Sequence, residues 1–297
     1  MAPSAGPPLF TRHGGPELDS PVLVLGMEGW IDAGLGAGSA VAHLLARVPT
    51  EPVASFDSDE LIDYRARRPL VRITDGVVEA LTWPQIELRA GRDPHGRDVL
   101  VLLGPEPDAR WKAFVDAVVA LSTELGVRLA VALGAFPLSV PHTRPVRLAA
   151  TATSRELADK VGVVPGSQEF PAGVHGALLD AFGAAGVPAV SLWARVPHYA
   201  ARMPYPAASA ALLEGLAEIA GIEVDATELH AAATLTSARI DELFAASEEH
   251  SMMVRQLEAM VDAETAPPPL DPADLPSGDE IGAELERFLR GEGGPQT

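Results

Sequence analysis

The amino-acid sequence predicts an α/β fold in which a mostly parallel sheet is flanked by helices. Short apolar runs alternate with segments of helical periodicity over the first two thirds of the chain, which is typical of strand–helix–strand units. The runs at residues 22–25 and 127–133 are almost entirely apolar, as expected for strands buried on both faces. Asp75-Gly76 lies between two β-branched runs and predicts a hairpin, so an antiparallel portion is attached.

The first half of the chain contains four predicted elements after the strand at 22–25. A helix follows it, with Asp32 as a candidate N-cap. A second strand is predicted at 52–56, the hairpin at 70–84, and a further strand pair around 86–88 and 99–103.

The second half begins with a helix, and its pattern is helical from residue 207 to residue 264. The predicted elements are a helix at 108–125, the strand at 127–133, a helix at 173–185, a strand at 189–194 and a helix at 207–220. Another helix begins near Asp225, and a third contains Met253, Leu257, Met260 and Val261 at helical spacing. These last two either join near Ala246-Ser247 as a helical hairpin or form one long helix.

Charge divides the chain at the same place. The 297 residues include 22 Lys and Arg against 41 Asp and Glu, a net charge of −19. Residues 207–297 contain 19 acids and four arginines, a net of −15, whereas residues 1–206 have a net of −4. We therefore predict a flexible arm at 1–20, an α/β core at 21–206, acidic C-terminal helices at 207–264, and a proline-rich linker, short helix and disordered tail at 265–297.

Composition argues against several partners and locations. A strongly acidic chain repels phosphate backbones and anionic lipids, so neither nucleic acid nor membrane is expected as a partner. No segment has the length and hydropathy of a signal peptide or membrane helix, which indicates a cytoplasmic protein. The absence of cysteine excludes disulfides, thiolate zinc ligands and a thiol nucleophile.

Common catalytic motifs are also missing, and we expect neither a cofactor nor a metal. The sequence has no phosphate-binding P-loop, no G-x-S-x-G elbow and no H-x-H or H-E-x-x-H pair. Its two lysines, Lys112 and Lys160, fall on predicted helices. Gly34, Gly36 and Gly38 follow the first strand but lack the dinucleotide spacing, so we interpret them as allowing close helix packing.

Polar and aromatic residues collect in the loops that follow or precede the predicted strands and helices. In a parallel sheet these loops meet beyond the carboxyl ends of the strands, where ligands bind. The residues of this candidate crevice are Glu28, Trp30, Asp32, Phe136, His142, Arg144, Arg147, His175, His198 and Tyr199.

Each of these residues also has a structural interpretation. Asp32 suits a helix N-cap, and the loop histidines suit hydrogen bonds to backbone carbonyls. Trp30, Phe136 and Tyr199 suit packing at the edge of the core. Arg144 and Arg147 are the best anion ligands, but they could equally pair with the many carboxylates.

Three of these segments, in the same order, resemble the PAC2 family, which is named after proteasome assembly chaperone 2. They are Gly29-Trp30-Ile31-Asp32-Ala33-Gly34, Pro141-His142-Thr143-Arg144-Pro145 and Val196-Pro197-His198-Tyr199. The likeness extends from about Pro21 to Met260, and the Arg-rich, Lys-poor composition resembles the actinobacterial branch.

The resemblance implies more about fold than about function. It implies an α/β core similar to nucleoside phosphorylases and related hydrolases, a homo-oligomer with a trimer as the first expectation, and relatives that are non-catalytic chaperones. Some family members end in a hydrophobic–Tyr–X tail that docks on the proteasome. This sequence ends Gly294-Pro295-Gln296-Thr297, so we expect no docking by that route.

Two functional hypotheses follow. The first is a non-catalytic homo-oligomer that acts through protein–protein contact in the chaperone or adaptor class, with an unidentified client. The alternative is an enzyme or binder of a nucleoside-like molecule, in which Arg144 or Arg147 holds an anion. In that case Glu28 or Asp32 is the base or ribose ligand, and His142 or His198 transfers protons.

Overall fold

The computed structural model describes residues 9–29, 31–163, 166–167 and 169–265 of the chain. Two compact units are present, residues 1–258 and residues 259–297. In the second unit the described residues, 259–265, are helical. Trp30, the start of the predicted arm, and the predicted linker and tail from residue 266 onward lie outside the described residues.

The described residues of the first unit form ten strands, of which eight belong to one sheet. The strands are β1 (Phe10–Arg12), β2 (Val22–Glu28), β3 (Thr50–Phe56), β4 (Leu70–Thr74), β5 (Val77–Thr82), β6 (Glu87–Arg92), β7 (Asp98–Pro105), β8 (Leu129–Leu138), β9 (Leu148–Ala152) and β10 (Ala189–Pro197). The main sheet has the order β1-β3-β6-β7-β2-β8-β10-β9, and β4 and β5 form a separate hairpin.

The main sheet is mixed, which corrects the prediction of a mostly parallel sheet. Its central strands β7, β2, β8 and β10 run parallel, whereas β1, β3, β6 and β9 join by antiparallel pairing. Connection length explains one of these pairings, because the five residues between β6 and β7 permit only a hairpin.

Eight helices are present in the described residues. They are α1 (Gly36–Arg47), α2 (Ser58–Leu61), α3 (Trp111–Glu124), α4 (Arg155–Val161), α5 (Val174–Ala184), α6 (Pro206–Ala220), α7 (Thr227–Ala245) and α8 (Glu248–Thr265). The last two are separate helices, which decides between the two alternatives left by the sequence. None of the helices described is long and apolar enough to span a membrane.

The strands bury both faces, and each face supports its own core. In β2, Val22 and Val24 pack into the core formed with α1 and α6. Leu23 and Leu25 alternate with them and pack into the opposite core, with α3 and α5. Period-two alternation in a continuous apolar run therefore gives a strand covered by helices on both sides.

A topological switch point lies between β2 and β7. The helix that follows β2 packs in the first core through Val41 and Leu44, whereas the helix that follows β7 packs in the second through Phe114 and Val118. The two neighbouring parallel strands thus send their connections to opposite faces of the sheet. In α/β folds, a crevice for ligands opens at such a point.

The glycines after β2 serve packing, as the sequence analysis proposed. Gly34 has a φ of +65°, and a Cβ there would lie 2.6 Å from the Cβ of Tyr205. At Gly36 a Cβ would lie 2.9 Å from that of Ala135. Only glycine lets the start of α1 approach β8 and α6 this closely.

A buried carboxylate fixes the connection between α6 and α7. Asp93, in the β6–β7 loop, accepts hydrogen bonds from the Nε of Arg97 (2.7 Å) and the backbone N–H of Glu223 (3.2 Å). Burial alone would raise the pKa of Asp93, but hydrogen bonds from Arg97, Glu223 and His95 outweigh it and hold the pKa below its usual value. These hydrogen bonds hold residues 221–226, which connect α6 to α7, against the loop between β6 and β7.

Candidate functional site

Two of the predicted crevice loops meet where β8 and β10 end. These strands pair in parallel register to Leu138 and Pro197, so their following loops leave the same edge of the sheet. The chain after β8 leads to His142, and a 3₁₀ turn after β10 presents Tyr199. The strand pairing therefore brings together residues 57 positions apart in sequence.

A continuous hydrogen-bond chain connects these loops to α7. The Tyr199 hydroxyl accepts the backbone N–H of His142 at 2.9 Å and lies 2.8 Å from Nδ1 of the same residue. Nε2 of His142 lies 3.0 Å from Oδ1 of Asp241 on α7. Burial raises the pKa of Tyr199 to about 12, so its hydroxyl is protonated and donates to Nδ1. That leaves the Nε2–H of His142 to donate to Asp241.

Aromatic contacts cover this hydrogen-bond chain. The Phe244 ring of α7 lies edge-on to Tyr199, with centroids 5.0 Å apart, and edge-on to His142 at 6.1 Å. His250 stacks on Phe244 at 4.7 Å. As a result only 1% of the His142 side chain is exposed.

The neighbouring polar residues bind α8 in the same way. The Thr143 hydroxyl donates to Oε1 of Glu258 at 2.5 Å, and the Arg144 guanidinium donates to the same oxygen at 3.2 Å. A carboxylate of the chain itself thus occupies the anion-binding geometry predicted for Arg144.

The loop after β2 provides hydrogen-bond acceptors for the first backbone amides of α1. The two carboxylate oxygens of Asp32 accept the backbone N–H groups of Ala37 at 2.8 Å and Gly38 at 2.9 Å. These are amides of the first turn of α1, which have no partner within the helix. Asp32 also forms a bridge to Ala135 of β8, so this loop lies beside the end of that strand.

A second group of titratable residues lies at the ends of β2 and β7. Glu106 is buried, and its carboxylate accepts the backbone N–H of Val174, at the start of α5, at 2.7 Å. Its own backbone N–H donates to the carbonyl of Glu28, whose side chain is exposed. His175 is buried beside Val174 and its Nε2 has no hydrogen-bond partner. Burial lowers the pKa of His175 to about 4, so it is neutral at physiological pH.

The groups of the Tyr199–His142–Asp241 chain could act as acids and bases, but the imidazole is not freely accessible. A hydroxyl, an imidazole and a carboxylate in line are suited to proton transfer in other proteins. Here α7 covers the imidazole, and the carboxylate belongs to that helix. Among the residues described, no cluster of three or more His, Asp or Glu could hold a metal ion.

The chain matches the model of the PAC2 family over residues 26–244. It belongs to the PAC2 family. A Mycobacterium tuberculosis protein of unknown function is 37% identical, with a TM-score of 0.80 over 89% of this chain and 94% of its own. A Mycobacterium tuberculosis proteasome-assembly chaperone homologue is 38% identical, with a TM-score of 0.73 over 78% of this chain and 99% of its own.

A more distant solved structure shares the fold alone. A proteasome activator from the archaeon Pyrococcus furiosus, PbaB, is 20% identical, with a TM-score of 0.60 over 79% of this chain and 97% of its own. Among curated proteins, none matches this chain.

The remaining predicted residues of this PAC2 chain are placed separately. Phe136 packs edge-on against Trp193 of β10, with ring centroids 6.4 Å apart. Arg147 precedes β9, and its carbonyl accepts the backbone N–H of Arg195. His198 is exposed and lies edge-on to Tyr199. Of these residues, His198 thus belongs with the group around His142.

Four important partners were not among the predicted site residues. Asp241, Phe244 and Glu258 belong to the C-terminal helices, which the sequence analysis treated as a separate appendage. Glu106 directly follows the end of β7, so the rule that ligands bind beyond the carboxyl ends of parallel strands would have identified it. The sequence has no comparable signal for Phe244, because an apolar residue at helical spacing is typical of simple packing.

Replacing Tyr199 with Phe tests whether the hydrogen-bond chain stabilises the PAC2 fold. We expect the free energy of unfolding to fall by about 1–3 kcal/mol, because the buried N–H of His142 loses its acceptor. Urea unfolding measures the change. Tyr64→Phe is the matched control, since the Tyr64 hydroxyl bonds to exposed Asp59, and it should cost less than about 0.5 kcal/mol. Equal losses in the two variants would contradict this role.

The buried His175 predicts a pH dependence of stability. Its pKa is about 4 in the fold and 6.5 when unfolded, so the unfolded chain binds the proton more readily. Above pH 6.5 this residue is neutral in both states and does not lower the free energy of unfolding. As the pH falls towards 4, the free energy of unfolding decreases by about 3 kcal/mol, because the unfolded chain binds a proton that the folded chain does not. Urea unfolding between pH 7.5 and 4 should show a shallower loss in His175→Gln than in the unsubstituted protein. Identical slopes would show that His175 is accessible to protons in the folded state.

Proposed function

We propose that this chain is a non-catalytic PAC2 protein that acts in the cytoplasm through protein–protein contact, in the chaperone or adaptor class, as a homo-oligomer. The trimer implied by the family resemblance is the first expectation for its stoichiometry. The observation that best supports the proposal is the use of the strand-end residues. His142, Thr143 and Arg144 are bound to carboxylates of α7 and α8, where a ligand site would require them to be available.

The similarity to a chaperone homologue supports the proposal that the partner is another protein. A relative with 38% identity is described as a proteasome-assembly chaperone homologue. That description suggests a client among multisubunit assemblies, and it is consistent with a fold whose catalytic-type side chains hold its own helices.

A ligand screen tests the proposal against enzymatic alternatives. We expect nucleosides, nucleotides and inorganic phosphate at millimolar concentration to leave the thermal midpoint unchanged. A true ligand present at about 100 times its Kd would add about 2.7 kcal/mol and raise the midpoint by several degrees. A rise that Arg144→Ala abolishes and Lys112→Ala preserves would contradict the proposal, because Lys112 lies on α3, which packs in the opposite core from α7.

Capture of partners from native lysate provides the complementary measurement. Cross-linking the tagged full chain should recover a second protein species at a fixed ratio to it. Recovery of the chain alone, with its helical circular dichroism intact, would count against a chaperone or adaptor role.

A small-molecule site at the β2–β7 switch point is the second candidate. The family resemblance implies a nucleoside-phosphorylase-like core, and the unpartnered Nε2 of buried His175 favours a polar ligand there. In the same thermal screen, this candidate requires a stabilising compound whose effect is lost in His175→Gln and retained in Arg144→Ala.

A further inference from the structure

The hairpin formed by β4 and β5 is unusual because nothing in the described part of the chain covers it. Its strands pair with each other and not with the main sheet, and all eleven of their residues are exposed. Asp75 and Gly76 form the turn with positive φ angles of 48° and 84°. At its base, Trp83 packs edge-on against Tyr64, with ring centroids 4.7 Å apart.

One face of this hairpin is apolar. Val71 pairs with Leu81 and Ile73 pairs with Val78, across a bulge after Arg72. Val71 and Ile73 are two residues apart on one strand, so the two pairs share a face. These four side chains, here called the apolar face, are each 48–63% exposed.

The apolar face has the size of a functional surface patch. Its four side chains and Trp83 at the base of the hairpin are 46–63% exposed. At roughly 100 Å² each, the scale on which burial of a large aliphatic side chain contributes about 2.5 kcal/mol, these five expose about 500 Å². That lies in the upper part of the ~300–600 Å² range of the largest patches on monomers, which are often functional, and it could form the apolar centre of a standard interface of about 800 Å² per partner.

The hairpin also needs a surface to pack against. An isolated two-stranded hairpin is at best marginally stable in water, and its unpaired strand edges and apolar side chains favour association. A partner that covers it permanently must be present at the same concentration as the chain. Another copy of the chain meets this condition without further assumptions.

The charge around the hairpin permits two copies to meet there. Residues 63–83 contain four arginines and three acids, a net of +1, in a chain whose net charge is −19. Arg72 pairs with Ala80 and alternates with Val71 and Ile73, so its charge lies on the other face of the hairpin and not on the apolar face. Two copies therefore approach through this surface with little repulsion, in contrast to the acidic helices at the C-terminus.

We propose that the apolar face of the β4–β5 hairpin is covered by a second copy of this chain. The inference rests on the homo-oligomer part of the proposed function and names the surface that forms it. Burial between copies removes Val71, Ile73, Val78 and Leu81 from water and completes the packing that the hairpin lacks within one chain.

The molar mass of the full chain in solution, measured by light scattering and sedimentation, tests this inference. The unsubstituted protein should be oligomeric at tens of micromolar. Ile73→Asp should weaken association at least about 100-fold, because a charge cannot be buried unpaired in an apolar interface. The matched control is Leu235→Asp, which places the same charge at a 73% exposed position on α7 and should retain the oligomer.

Folding of Ile73→Asp is checked by its far-ultraviolet circular dichroism, which should be unchanged because Ile73 belongs to neither apolar core. Hydrogen exchange on the unsubstituted chain gives an independent readout. Amide protection of residues 70–82 should rise with protein concentration. Concentration-independent protection, or an oligomer that survives Ile73→Asp, would overturn the hairpin assignment alone. A monomeric unsubstituted protein would overturn the homo-oligomer as well, and the ligand screen tests the non-catalytic role separately.

Discussion

The hydrogen-bond chain from Tyr199 through His142 to Asp241 is the contact on which the position of the C-terminal helices depends. Only Ile240 is buried among the nineteen residues of α7, so apolar burial provides this helix with little stabilisation. Hydrogen bonds supply the stabilisation of α7 that apolar burial does not. His142 is almost fully enclosed and must keep both ring nitrogens bonded, which fixes α7 in one place on the sheet edge. Thr143 and Arg144 do the same for the first part of α8 through Glu258.

This use of the sheet edge explains how a fold with the layout of a ligand-binding protein can serve contact with other proteins. The central parallel strands and the switch point between β2 and β7 are features that open a crevice in many enzymes. In this PAC2 chain the side chains that follow β8 and β10 form their hydrogen bonds and packing contacts with helices of the same chain. Half of the fourteen large apolar side chains that are exposed in the described residues lie on or beside the β4–β5 hairpin, and a concentration of this kind is typical of surfaces that bind macromolecules.

Local sequence patterns predicted the positions of helices and strands better than they predicted how the strands pair and which residues meet in space. Alternation of apolar runs and helical periodicity predicted β2, β8, α1 and α3, and Asp75-Gly76 predicted the hairpin turn, whereas the four-residue α2 was not predicted. β1 was missed because three residues at a sheet edge have too short a pattern to recognise. The mixed sheet was missed because strand direction depends on which strands pair. The site was half predicted: strand ends identify His142 and Tyr199, but Asp241 is 99 residues from His142 and is one acid among many in an acidic region.

A double-mutant cycle between His142 and Asp241 tests most directly whether strand-end residues hold the C-terminal helices. The free energies of unfolding of His142→Ala, Asp241→Ala and the double variant are compared with that of the unsubstituted chain. The account predicts a coupling energy of about 1 kcal/mol, because the hydrogen bond is lost once and not twice. Additive losses, with a coupling energy of zero within error, would contradict it, because they would mean that His142 contributes to stability without binding α7.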